Sequence, residues 1–194
     1  MNKKIYWTII SLLLILISIG VVYNYFIKEK PDNIKFYNEY NEVGKNNVFV
    51  YKSIEEIINI LENGTGVIYL GFPECPWCQS YVKYINDVAK ETGIKEIYYF
   101  NILNDRKTNS EEYQKIVTLL NEVLLEDENG NKRIFVPDVA IVNKGKIIGH
   151  DNETSVIEGY ESPKEYWTDE KVDALKSKLK KLFSEISTVC TSCN

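Results

Sequence analysis

The chain has 194 residues, enough for one ordinary domain with appendages. A formal net charge of −5, with 23 basic residues against 28 acidic ones and no Lys/Arg cluster, argues against nucleic acid as a partner. The hydrophobic fraction of 44% is that of a globular protein, and no repeat or low-complexity stretch interrupts the chain.

Residues 5–27 carry no charge. At ~1.5 Å per residue they reach ~34 Å, enough to cross a hydrocarbon core of ~30 Å, so residues 1–27 predict one N-terminal transmembrane helix. Tyr6 and Trp7 near one end, and Tyr23 and Tyr25 near the other, sit where interfacial aromatics are expected. A cleavable signal peptide is the competing reading, with Ser18 and Gly20 as acceptable small residues. The apolar run continues past Gly20, beyond a usual signal core, which favours the anchor. On either reading the bulk of the chain lies outside the cytoplasm, held at the cell membrane or, if cleaved, secreted. Disulfides persist there.

Residues 28–47 are polar and read as a linker. Val48 to Tyr51 is a short strand, and Ser53-Ile54-Glu55-Glu56 is a capping box opening a helix through about Glu62. Val67 to Gly71 is a continuous apolar strand of the kind buried on both faces. Tyr81, Tyr84, Ile85, Val88 and Ala89 then keep helical spacing as far as Thr92-Gly93. Ile97 to Ile102 is the next strand. A polar loop leads to Ser110, the N-cap of a helix expected to run to Leu125, with Asp127-Glu128-Asn129-Gly130 breaking it. Ile134-Phe135-Val136, interrupted by Pro137 and continued by Val139 to Val142, pairs through an Asn143-Lys144-Gly145 turn with Lys146 to Gly149. A polar loop reaches Thr168, and a last helix uses Val172, Leu175, Leu179, Leu182, Phe183 and Ile186 on one face. This order implies an α/β fold, with parallel pairing through crossovers early and an antiparallel edge late.

The chemistry concentrates at Cys75-Pro76-Trp77-Cys78, directly after the buried strand and at the start of a helix. Two thiols at this spacing can close a small disulfide ring and open it again. Backbone N–H groups at a helix N-terminus stabilise an anion, so Cys75 should ionise more readily than a free cysteine. Pro76 suits the first helical position, where a missing N–H costs nothing. Glu74 opposes the thiolate if its carboxylate points inward. The competing readings of the pair are a fixed disulfide or half of a metal site, and the coincidence of strand, cysteine pair and downstream proline favours redox chemistry.

Gly71-Phe72-Pro73-Glu74-Cys75-Pro76-Trp77-Cys78 after a buried strand, Val136-Pro137 at the head of a hairpin, and a C-terminal helix together resemble the thioredoxin superfamily over about residues 48–187. The chain is most similar to membrane-anchored thioredoxin-like proteins of Gram-positive bacteria, of the bacteriocin transport accessory type. The resemblance implies a three-layer fold with a mixed central sheet. It makes Cys75 the attacking thiol and Cys78 the buried resolving one. It also implies a cis Val136–Pro137 bond beside the cysteines, with the backbone of Val136, ahead of Pro137, pairing to an extended substrate; Trp77, read from its own chemistry, either contacts substrate or shields the sulfurs. No cofactor is implied beyond the redox-active Cys75–Cys78 disulfide. The implied partners are protein thiols or disulfides, an electron-transfer partner, and the membrane through the N-terminal helix. Reductive members carry a buried Asp where this chain has Tyr69, and the helix from Ser110 is longer than its counterpart.

A second pair, Cys190 and Cys193, closes the chain in a tail at residues 188–194. A four-cysteine zinc site shared with the first pair is disfavoured, because the last helix carries the tail about 20 residues, or ~30 Å, from the active end. A tail disulfide or a second redox pair remains, and no metal is expected. His150, alone beside Asp151, reads as a surface residue; Tyr160, Tyr166 and Trp167 line a groove or pack a loop. The expected function is a membrane-anchored extracytoplasmic thiol–disulfide oxidoreductase. The alternative is a non-enzymatic accessory protein that uses the same fold to hold a secreted peptide or transport partner.

Overall fold

The computed structural model describes residues 3–22, 31–152 and 159–190, in two compact units, 1–31 and 32–194. The first unit holds helix α1, Lys3–Val22. Its Leu12 to Ile17 side chains are all more than half exposed. Among the described residues no helix is long and apolar enough to cross a membrane. The expected span runs on to Ile27, and residues 23–30 lie outside the described ones.

The second unit is α/β, with a five-stranded mixed sheet in the order β1-β3-β2-β4-β5. Strands β1 (Phe49–Tyr51), β3 (Ile97–Asn101) and β2 (Gly66–Gly71) run parallel, joined by helices α3 (Ile54–Asn63) and α4 (Pro76–Thr92). Strand β4 (Asp138–Asn143) adds antiparallel to β2, and β5 (Lys146–Asp151) antiparallel to β4. Central β2 is buried from Val67 through Gly71, so both its faces are covered. One helix pair, α3 with α6 (Glu111–Leu119), packs together, and so does the other, α4 with α8 (Asp169–Cys190).

Local chemistry sets the boundaries. Ser53 caps α3 through a complete capping box: the Glu56 N–H donates to Ser53 Oγ, and the Ser53 N–H donates to Glu56 Oε2 at 2.8 Å. Gly93 ends α4 with φ 80°, a left-handed cap. In the β4–β5 turn Lys144 and Gly145 both have positive φ, which matches the right-handed twist of a hairpin. Gly145 is required there for a second reason: a Cβ would strike the Glu62 carbonyl.

Five expectations are corrected. The segment read as a linker carries helix α2, Asp32–Glu39, and a 3₁₀ turn, Asn41–Val43. Phe36 and Tyr40 are fully buried there, Phe36 stacking on Phe49 at 3.8 Å and on Tyr40 at 4.4 Å. The polar loop before Ser110 contains helix α5, Leu103–Thr108, and the Asn101 side chain accepts the Leu103 N–H just ahead of it. Helix α6 ends at Leu119, not Leu125. Leu120 and Leu124 still reach the core, through turns rather than helix, and the Asp127 side chain accepts the N–H groups of Asn129 and Asn131 in a turn of its own. Residues 134–136 are not strand: Pro137 offers no N–H, and the Ile134 N–H donates instead to the Tyr113 hydroxyl at 3.4 Å. A short helix α7, Pro163–Tyr166, interrupts the last loop.

Candidate functional site

Strand β2 ends at Gly71, and a short turn leads to Cys75, which is the N-cap of α4 with Pro76 just inside. That position aims unpaired backbone N–H groups at the Cys75 sulfur, and the Cys78 N–H donates to it at 3.2 Å. Both cysteines are free thiols, Cys75 9% exposed and Cys78 fully buried. The Val136–Pro137 bond is cis. The Cys75 thiol lies 3.9 Å from the Val136 carbonyl and donates to it, so the two segments meet across 61 residues of sequence.

The two thiols are driven in opposite directions. Contact with the Cys78 thiol, then the N–H groups of Cys78 and Trp77, then the Arg106 charge, lower Cys75 to about 7 against the penalty of burial. Burial pushes Cys78 well up, and the neighbouring Cys75 adds to it. One sulfur can therefore carry charge near neutrality while the other stays protonated.

Sequence reasoning missed Arg106. It lies on α5, inside the stretch expected to be loop. Its guanidinium sits 4.8 Å over the Phe72 ring and donates to the Ile134 carbonyl, tying the turn before Cys75 to the segment before Pro137. The local signal ahead of α5 is Asn101, whose side chain takes the N–H of Leu103 two positions on.

Trp77 is half-buried, its ring edge-on to Tyr166 at 5.5 Å. Tyr166 meets Trp167, Trp167 meets Tyr84, and the Trp167 indole donates to Ser80 Oγ at 3.0 Å. These contacts fasten α7 to the first turns of α4. Beside them opens a groove of about 640 Å³ lined by Pro73, Glu74, Pro76, Gln79, Tyr84 and Trp167. Glu74 is exposed.

His150 departs from its expected surface position. Its ring is 10% exposed and pairs at 3.0 Å with Asp138, which is fully buried directly after Pro137. Asp151 is buried as well, accepting from the Tyr81 hydroxyl at 2.5 Å and pairing with Lys178 at 2.7 Å. Cys190 is the last helical residue of α8; its side chain and the whole of Cys193 lie outside the described residues. Among the described residues no group of three or more His, Cys, Asp or Glu side chains could hold a metal.

No protein-family model matches the chain, and no curated protein or solved structure matches it closely enough to count as a relative.

Proposed function

We propose that this is a thiol–disulfide oxidoreductase of thioredoxin-like architecture, held outside the cell membrane by its N-terminal helix and acting on protein cysteines. The observation that carries the reading is one juxtaposition. An acidified, slightly exposed thiol at a helix N-terminus touches the carbonyl of a residue before a cis-proline, with a buried thiol three positions on. The mixed sheet order and the exposed apolar side chains of α1 support the architecture and the anchor.

The steps follow from these atoms. The Cys75 thiolate attacks a substrate disulfide, forming a mixed disulfide and releasing one substrate thiolate. Cys78, as thiolate, attacks the Cys75 sulfur, releases the second substrate thiolate and closes the Cys75–Cys78 disulfide. The substrate is reduced by two electrons and the protein oxidised by two; the reverse order oxidises a dithiol. A nucleophile near pH 7 balances thiolate fraction against intrinsic reactivity. The Val136 carbonyl and Trp77 flank the sulfur, where an extended substrate backbone would lie.

Replacing the resolving thiol tests this. Cys78→Ser should accumulate mixed disulfides with client proteins through Cys75, and Cys75→Ser should accumulate none. Absence of any trapped adduct in Cys78→Ser would end the exchange reading. A scaffold that only holds a peptide in the groove beside Trp77 draws on the aromatic wall there. That role would survive the double replacement of Cys75 and Cys78 by serine, whereas an exchange enzyme loses its phenotype.

A further inference from the structure

Cys78 must lose a proton to resolve a mixed disulfide, yet it is fully buried and water cannot take that proton directly. The side chains next to it are phenols. Tyr69 on β2 and Tyr99 on β3 are register partners with rings stacked at 5.7 Å, and Tyr40, beyond α2, lies edge-on to Tyr99. All three are fully buried, and the Tyr40 and Tyr99 hydroxyls are 3.2 Å apart.

Three buried polar atoms in this region have no well-formed hydrogen bond: the Tyr69 hydroxyl, the Tyr51 hydroxyl and Glu39 Oε2. They mark the two ends of one line. The Tyr69 hydroxyl lies beside Cys78 and Tyr40, and the Tyr51 hydroxyl beside Glu39; the Tyr51 ring is edge-on to Tyr99 at 5.0 Å, and Tyr99 sits within the field of the Glu39 carboxylate. Glu39 sits half-buried at the end of α2. The Tyr69 and Tyr51 hydroxyls are the loosely held members of this buried group, and loose hydrogen bonding in a dry interior suits groups that hand a proton on.

We propose that Tyr69, Tyr40 and Tyr99 form the route by which the Cys78 proton leaves, with the Glu39 carboxylate as its acceptor. The Cys78 S–H bond breaks as Tyr69 takes the proton and gives its own to Tyr40; Tyr40 does the same to Tyr99, and Tyr99 to Glu39. Each phenol loses one O–H bond and gains one. The net change is a thiolate at Cys78 and a carboxylic acid at Glu39. The Tyr69 hydroxyl then donates to the new thiolate while it attacks Cys75. The route rests on the exchange reading above.

The test uses the full chain in detergent with the tail cysteines removed (Cys190→Ser, Cys193→Ser), reduced and mixed with an aryl disulfide whose released thiolate absorbs visible light. Attack by Cys75 gives a first burst of colour; resolution by Cys78 gives a second. Tyr69→Phe, Tyr40→Phe and Glu39→Gln should each slow only the second burst, about tenfold, the lower range for losing a hydrogen bond to a charged group. Each should also reduce the slowing that the wild type suffers in heavy water. Glu39→Gln changes a half-buried position and serves if a phenol variant fails to fold. No bursts in the wild type would overturn the exchange reading itself. Bursts with an unchanged second phase in Tyr69→Phe overturn the route alone. So does slowing confined to Tyr69→Phe, which would make Tyr69 a lone donor.

Discussion

The Cys75 sulfur collects donors from its own helix and a cation from another segment, and the Arg106 guanidinium is the one contributor from outside that helix. The ordinary thiol value is 9.0 and the folded value about 7, so the thiolate forms through neutrality and is lost as pH falls below it. Arg106→Gln withdraws a favourable charge and disfavours the anion. The midpoint of Cys75 alkylation against pH should rise by about half a unit. An unmoved midpoint would remove Arg106 from the site. The same shift feeds into stability with a defined sign. A thiol acidified by folding stabilises the reduced protein increasingly as pH climbs from about 7 to 9, and contributes nothing below that window.

Among the elements, α2 is where sequence patterning and structure part most clearly. Its eight residues hold few apolar side chains, so the stretch reads as solvent-facing, yet Phe36 is fully buried between Phe49 and Tyr40. Phe36→Ala should cost ~3–5 kcal/mol in a urea titration, as for other buried aromatics; a loss below ~1 kcal/mol would return α2 to the status of a tether. Elements whose ends are written in side-chain chemistry were legible: Ser53 with Glu56, Cys75-Pro76 against Gly93, and Lys144-Gly145 each stop or start the chain by a local rule. Leu120, Val123 and Leu124 misled because apolar residues at helical spacing can also enter a core from successive turns. The cysteine pair and Pro137 were legible as a site because each carries its own backbone signature. Arg106 and Tyr69 were not, since their roles depend on which distant segments β3 and α5 bring alongside.

For the molecule as a whole, the most costly placement is Asp138, wholly buried with one oxygen on His150 and the other without a hydrogen bond. Burial raises its carboxyl above the usual 3.8, and His150 only partly offsets this. The folded state therefore holds a proton that the unfolded chain releases, and stability falls as pH rises from about 3.8 through the raised folded value. Asp138→Asn keeps an acceptor for His150 and removes that slope. Its urea midpoint should exceed the wild type's at pH 7, with the gap closing near pH 4; a variant weaker at pH 7 would mean the ion pair outweighs its desolvation. The pairing of β4 with β2 has another outcome. Until that pairing forms, Val136 and Cys75, 61 residues apart in the chain, are not side by side, and the sulfur has only its own helix to hold it.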